Sequence, residues 1–73
     1  MREPYEALAN AIVAQAARDY RSALKKLKRN PENLDALWRK GEVESFFRSA
    51  WYQELTNLDP ELLIMRLKKE VNA

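Results

Sequence analysis

The 73-residue sequence contains no cysteine and no histidine. Without cysteine there is no disulfide and no thiolate chemistry. Without histidine, the commonest general base and the commonest metal ligand are missing. Serine and cysteine nucleophiles usually depend on a neighbouring imidazole. We therefore expect a protein that is not an enzyme and that holds neither a metal nor a cofactor.

The chain also lacks most of the features that stabilise small domains. Its length indicates one domain, which we place at residues 1–73. A domain of this size buries only about 60% of its unfolded surface. Domains this small are usually stabilised further by disulfides, metals or oligomerisation. The lack of cysteine and histidine argues against the first two, so oligomerisation remains. We therefore expect the protein to associate with copies of itself.

Long hydrophobic runs are missing as well. The longest uncharged run is Ala7–Ala17, eleven residues, whereas a membrane-spanning helix needs about 20 apolar residues. The basic start of the chain is not followed by the apolar run of a signal peptide. We therefore expect a cytoplasmic protein with no membrane partner.

Glycine occurs once, and no stretch alternates with a period of two residues, so neither strands nor flexible linkers are indicated. The sequence predicts an all-α fold. A first helix is expected over Pro4–Arg29, with Glu3 near the positive end of its dipole. Its apolar positions recur every three or four residues, at Tyr5, Leu8, Ile12, Ala16, Tyr20, Ala23 and Leu27.

Two further prolines indicate where later helices begin. Asn30 is predicted to cap the second helix, with Pro31 at its first position. The last helix is predicted to follow Asp59, because Asp59, Pro60 and Glu61 supply a cap, a first-turn proline and an acidic first turn in order.

Residues 31–57 allow two interpretations. They form either one helix that bends or crosses another closely at Gly41, or two helices, of which the second is capped by Ser49 and covers Ala50–Asn57. The sequence does not decide between them. Either way we expect a compact bundle of three to four helices with a long N-terminal helix. Its neighbouring helices pack antiparallel, and oligomerisation completes it.

The segment Ala7–Ala17 is apolar nearly all round the predicted helix, since only Asn10 and Gln15 are polar. Such a helix is normally buried on every side, and a short chain offers too little other surface to cover it. We therefore predict that a second copy packs on it, through Leu8, Ala11, Ile12 and Ala14. The alternative is that alanine is present only because it favours helix.

Charge is unevenly distributed along the chain. Residues 1–31 carry a balance of +4, residues 32–61 a balance of −4 and residues 62–73 a balance of +2. This asymmetry can bring the first two segments together, within one chain or between chains.

One set of basic residues falls on a single helical face, with Lys26 and Arg29 beside it. This basic row consists of Arg18, Arg21, Lys25 and Lys28. It is either an anion-binding surface for phosphate, nucleotide or nucleic-acid backbone, or a solvated face that pairs with the acidic middle segment.

A second candidate site lies in Glu42–Tyr52, which holds four of the aromatic residues. Arg48 precedes Trp51 by three residues and Tyr52 by four, so both rings can lie beside the guanidinium on a helix. With Ser49, this group suits a nucleotide, whose phosphate would contact the arginine and whose base would stack on a ring. The alternative is a core of Phe47, Trp51 and Leu55, with Arg48 snorkelling or paired to Glu44.

Motifs for other ligand classes are lacking. The sequence has no glycine-rich phosphate loop, zinc-finger spacing or basic-zipper pattern. A helix-turn-helix would require Gly41 in its turn. The residues that follow are too acidic and apolar for a recognition helix.

Four segments resemble small uncharacterised helical proteins encoded in prophages and mobile elements of Gram-positive bacteria. These segments are Leu8–Val13, Asp19–Leu24, Phe46–Tyr52 and Leu55–Asp59. The resemblance covers most of the chain, but its motifs define no known chemistry and it carries over no assigned site. It implies an accessory protein that acts in the cytoplasm of a bacterial host cell, and proteins of this kind often act by binding.

Three hypotheses of function follow. The first is a non-enzymatic homo-oligomer that sequesters an anionic ligand, namely a nucleotide-type host defence signal; Arg18, Arg21, Lys25, Arg48, Ser49, Trp51 and Tyr52 are the predicted ligand-binding residues. The second is a protein-interaction module that inhibits a host protein. The third is a small regulator that binds nucleic acid, for which affinity would fall steeply as salt rises.

Overall fold

The computed structural model describes residues 4–72, so the expectation for Glu3 lies outside the described residues. The elements are α1 (Pro4–Arg29), α2 (Leu34–Phe47), α3 (Ala50–Leu55) and α4 (Pro60–Asn72). This part of the chain contains no strand, which confirms the all-α prediction. None of the described helices combines the length and the apolar character needed to cross a membrane.

Helix α1 has the bounds that the sequence predicts. Its last turn contains Lys26, Lys28 and Arg29, which complement the negative end of the helix dipole. The backbone N–H of Asn30 donates to the carbonyl of Lys26 at 2.9 Å and closes the final turn.

Helix α2 begins later than predicted, and the choice of Asn30 as its cap is wrong. The Asn30 side chain instead accepts a hydrogen bond from the backbone N–H of Glu32 at 3.1 Å, which forms a turn across Pro31. Asn33 has extended backbone and accepts from the N–H of Ala36 at 3.0 Å, so it is the cap. Both asparagines can cap, and the turn that separates α1 from α2 decides which one does.

Residues 31–57 form two helices rather than one that bends. Ser49 has extended backbone, and its Oγ accepts from the N–H of Tyr52 at 3.2 Å and donates to the Phe46 carbonyl at 2.6 Å. This serine therefore ends α2 and caps α3 at once. Helix α3 ends at Leu55, two residues before the predicted end, because Thr56 is extended. Helix α2 continues through Gly41, and a Cβ at that position would meet nothing within 4 Å.

Helix α4 starts as the sequence predicts. The Asp59 carboxylate accepts from the backbone N–H groups of Glu61 at 2.9 Å and Leu62 at 3.4 Å. These bonds satisfy donors that have no partner within the helix.

Aromatic residues from three helices form the centre of the core. Phe47 of α2 packs edge to face against Tyr20 of α1, with ring centroids 5.9 Å apart, and against Tyr52 of α3, at 5.7 Å. All three side chains are fully buried. The contiguous core comprises Ala17, Tyr20, Val43, Phe47, Tyr52, Ile64 and Leu67.

Some apolar positions do not reach this core. Tyr5 and Leu8, at the start of the predicted α1 stripe, are exposed, and so is Trp51. In α4 the spacing predicts an apolar stripe of Leu63, Leu67 and Val71, with Leu62 and Met65 beside it, whereas the buried side chains are Ile64 and Leu67. The periodicity therefore identifies the helices correctly, but the positions of the neighbouring helices decide how far each apolar stripe is covered.

Candidate functional site

Arg48, the centre of the second predicted site, is held by acidic side chains. Its Nε and Nη2 donate to the two carboxylate oxygens of Glu61 at 2.7 and 3.0 Å. Its Nη1 lies 3.7 Å from Glu44. The planar fork that would bind a phosphate is therefore occupied by the first turn of α4, and this pairing raises the pKa of Arg48 further.

The neighbours of Arg48 have separate roles. The Ser49 hydroxyl caps α3 and bonds the Phe46 carbonyl. Tyr52 is fully buried, and burial together with the charge of Asp59 raises the pKa of its hydroxyl. Trp51 is 54% exposed and meets Phe46 edge to face at 5.4 Å. Arg48 is thus in an ion pair, Ser49 is a helix cap, Tyr52 is in the core and Trp51 is on the surface. The four residues do not form one site.

Glu44 is the centre of a charge network that joins α1, α2 and α4. It accepts from the Tyr20 hydroxyl at 2.5 Å and lies 2.9 Å from Lys40 and 4.0 Å from Lys68. Burial raises the pKa of Glu44, but the hydrogen bonds from Tyr20 and Lys40 and the charges of Lys40 and Lys68 outweigh it, so its pKa lies below the ordinary value of 4.5. The carboxylate therefore stays charged at neutral pH and ties α1 to α2.

We expect this network to make stability depend on pH in the acidic range. Because folding lowers the pKa of Glu44, its contribution is complete above about pH 4.5 and disappears as the pH falls through the folded-state pKa. Glu44→Gln should therefore destabilise the protein at pH 7, and the gap to wild type should narrow toward pH 3. Urea unfolding at both pH values measures it. A gap that is the same at both would show that Glu44 acts through shape and not through charge.

Three members of the basic row, Arg18, Arg21 and Lys25, line one depression on α1. The depression has a volume of about 420 Å3 and is lined by Arg18, Arg21, Ser22, Lys25, Lys26 and Arg29. Arg21 also pairs with Glu70 of α4. Lys28 points to α4 instead, where its Nζ donates to the Val71 carbonyl at 3.2 Å.

The acidic middle segment does not neutralise this surface. Within residues 4–72, no ion pair joins the basic row to residues 32–61, since Glu44 and Glu61 pair with Lys40, Arg48 and Lys68. In the same part of the chain Lys25, Lys26 and Arg29 form no ion pair. Their charges are therefore available to an outside anion.

A second concavity adjoins the first, between α1 and α2. This groove has a volume of about 540 Å3 and is lined by Asp19, Ser22, Ala23, Lys26, Asp35, Ala36, Trp38 and Arg39. Trp38 is 62% exposed, and the Arg39 guanidinium carbon lies 5.7 Å from the centre of its ring. Ser22 and Lys26 line both concavities, so the two lie side by side along α1.

Sequence reasoning missed this groove. The spacing of Trp38 predicts an apolar position of the second helix, and helical periodicity cannot separate an exposed ring from a buried one. Asp19 and Asp35 are 16 positions apart and share a surface only because α2 folds back on α1. The available signal was the Trp38-Arg39 pair, which is too common to identify a site by itself.

The predicted oligomer surface is open in the single chain. Leu8, Ala11 and Ala14 are exposed and Ile12 is half-buried, whereas Ala9 and Ala17 on the inner side are buried. In the segment Ala7–Ala17, the other described residues cover one side of α1 and leave the opposite side exposed.

The described residues thus form a basic depression, a groove lined in part by Trp38, and an exposed apolar face of α1. The first could bind an anion, the second an aromatic group and the third another protein surface. Comparison of the chain with protein-family models, curated proteins and solved structures found no match.

Proposed function

We propose that this chain is a non-enzymatic binding protein that holds a phosphate-bearing ligand in the basic depression of α1. The observation that carries the proposal is the convergence of Lys25, Lys26 and Arg29 on one depression with no acidic partner in residues 4–72. Like charges held close together repel one another, and a bound phosphate relieves that repulsion.

Arginine and lysine make complementary contributions to such a site. The planar guanidinium groups of Arg18 and Arg29 can each donate two parallel hydrogen bonds to phosphate oxygens, whereas Lys25 and Lys26 act as mobile point charges. We therefore assign the ligand-binding role to Arg18 and Lys25 of the predicted set together with Lys26 and Arg29, while Arg48, Ser49 and Tyr52 support the fold.

All of the residues that line the depression belong to α1, so it is an open surface of that helix, which a single phosphate group can reach. We propose that the ligand is a nucleotide-type host signal, which the protein would sequester. Tight binding without turnover is sufficient for that role.

We expect wild-type protein to be stabilised by nucleotides at millimolar concentration in a thermal-shift panel of cyclic and linear forms. A ligand at about 100 times its Kd stabilises the folded state by about 2.7 kcal/mol. Lys25→Glu/Arg29→Glu should abolish the shift, because it reverses two of the charges that line the depression.

The matched control is Arg66→Glu/Lys69→Glu, which makes the same charge change at exposed positions of α4 that do not line the depression. It should keep the nucleotide shift. No stabilisation of the wild type by any nucleotide would refute the proposal. Binding of DNA or RNA that weakens steeply with salt, without a nucleotide shift, would favour a nucleic-acid regulator instead.

Self-association is part of the proposal. A second copy that packs along Leu8, Ala11 and Ala14 would cover the side of α1 that its own chain leaves open. An isologous contact of this kind is the simplest closed arrangement. This contact would not cover the basic depression, which begins at Arg18 on the following part of α1.

A second candidate function, inhibition of a host protein, is favoured by the exposed apolar side chains of α2 and α4. Leu34 is 77% exposed, and Leu37, Leu62 and Met65 are also exposed. Leu34 and Leu37 are three positions apart on α2, as are Leu62 and Met65 on α4, and exposed apolar side chains that adjoin one another are typical of protein interfaces. This function predicts a specific pull-down partner and no effect of nucleotides.

A further inference from the structure

We propose that the groove between α1 and α2 holds the base of the ligand, and that this base is guanine. The inference rests on the proposed phosphate site, which it extends. The basic depression can bind only the phosphate part of a ligand. The adjoining groove contains Trp38 and two carboxylates, so it can bind an aromatic group that carries hydrogen-bond donors.

Trp38 supplies the stacking surface. A tryptophan that is 62% exposed buries little apolar area in its own chain, so it adds little to the stability of the fold. The Arg39 guanidinium lies 5.7 Å from the ring centre and presents a second planar, stackable group at the same groove. Any base can stack on such a ring, because every base has a π face.

The carboxylates of the groove select among bases. Asp19 and Asp35 both line it, and an ionised carboxylate can only accept hydrogen bonds. Guanine presents two adjacent donors on one edge, the ring N1–H and the exocyclic amino group, which match the two oxygens of one carboxylate. Adenine places the unprotonated ring N1 at the corresponding position, so the same carboxylate would face a lone pair.

Asp35 is the better placed of the two acids. It is exposed and, within residues 4–72, forms neither an ion pair nor a side-chain hydrogen bond, although it shares the groove with Lys26. Asp19 already accepts a hydrogen bond from the Gln15 amide at 3.0 Å. The position of Asp35 in the first turn of α2 stabilises that helix, so a test must measure base selectivity rather than stability.

The two concavities fix the direction of the ligand. Ser22 and Lys26 line both of them, one helical turn apart on α1. A base beside Trp38 would therefore place its phosphates past Ser22 and Lys26, toward Lys25 and Arg29. A guanosine phosphate has this order of parts, with a neutral sugar between the base and the charge.

The experiment compares guanosine diphosphate, adenosine diphosphate and inorganic pyrophosphate by isothermal titration calorimetry. We expect guanosine diphosphate to bind at least tenfold more tightly than the other two. Asp35→Asn should remove the preference for guanine over adenine, because an amide can pair with adenine. Trp38→Ala should lower the affinity for the nucleotide to that for pyrophosphate, and Trp38→Phe should restore part of it.

Controls separate base recognition from damage to the fold. Glu54→Gln removes an exposed carboxylate from α3, outside the groove, and should leave selectivity unchanged. In a Trp51→Phe background, Trp38 is the single tryptophan, and guanosine diphosphate should quench its fluorescence. Circular dichroism should show each variant to be folded, since Asp35 and Trp38 are exposed.

The outcomes distinguish this inference from the proposed function. Equal affinity for all three compounds would overturn base recognition and leave the phosphate site intact. A guanine preference that survives both Asp35→Asn and Trp38→Ala would place the base elsewhere and also overturn it. Absence of binding by all three would overturn the inference and the proposed function together.

Discussion

Replacing Phe47 by alanine is expected to leave the protein largely unfolded at room temperature. Phe47 has no exposed surface and joins α1, α2 and α3 through its contacts with Tyr20 and Tyr52. Truncating a buried phenylalanine costs roughly 3–5 kcal/mol. Small domains have a total stability of about 5–15 kcal/mol, and a chain of this length lies at the low end. Circular dichroism with thermal melting measures the loss.

Trp51→Ala is the matched control, because it truncates an aromatic residue four positions away that is 54% exposed. It loses the edge contact with Phe46 and little else, so we expect a cooperative melt close to that of the wild type. If Phe47→Ala also melted within a few degrees of the wild type, the helices would be packed in another way and Phe47 would lie outside the core.

The second large effect concerns assembly. We expect the wild type to run as a dimer or larger species in light scattering at micromolar concentration, and Ala14→Glu or Ala11→Glu to yield an 8.6 kDa monomer. In the single chain both alanines are exposed, so a glutamate there remains hydrated and the fold should survive. In the assembly the same charge would be buried without a partner, at a cost of several kcal/mol.

Ala50→Glu provides the control, because Ala50 is exposed, begins α3 and is not one of the residues of the predicted contact. It should leave the molecular mass unchanged. Wild-type protein that is already a monodisperse monomer at micromolar concentration would contradict the proposed contact. Loss of helix content in Ala14→Glu would instead place this side of α1 inside the fold.

The sequence by itself determined the helices and most of their ends. Local interactions are sufficient for this, since an apolar period of 3.6 and a proline or cap residue act within one or two turns. Thus α1 has its predicted bounds, and Ser49 and Asp59 are the caps that their residue types favour. The one wrong cap, Asn30, arose where two asparagines lie three residues apart and both can serve.

The same local reasoning recovered part of the candidate site. The spacing predicts one face for Arg18, Arg21, Lys25 and Lys28. The first three line one depression, whereas Lys28 contacts α4. The grouping of Arg48 with Ser49, Trp51 and Tyr52 was also based on spacing. It could not reveal that Glu61 holds the guanidinium or that Tyr52 enters the core, because those contacts join different helices.

Only the tertiary structure decided which charges are neutralised and which aromatic rings are exposed. The +4 and −4 segments are not paired through the basic row, because the fold places Glu44 and Glu61 beside Lys40, Arg48 and Lys68. The groove at Trp38 likewise exists only where α2 packs back on α1. Coulombic attraction and stacking depend on distances of a few ångströms between residues far apart in sequence. Periodicity assigns a residue to a face of its own helix, but the packing of the other helices decides what lies opposite that face.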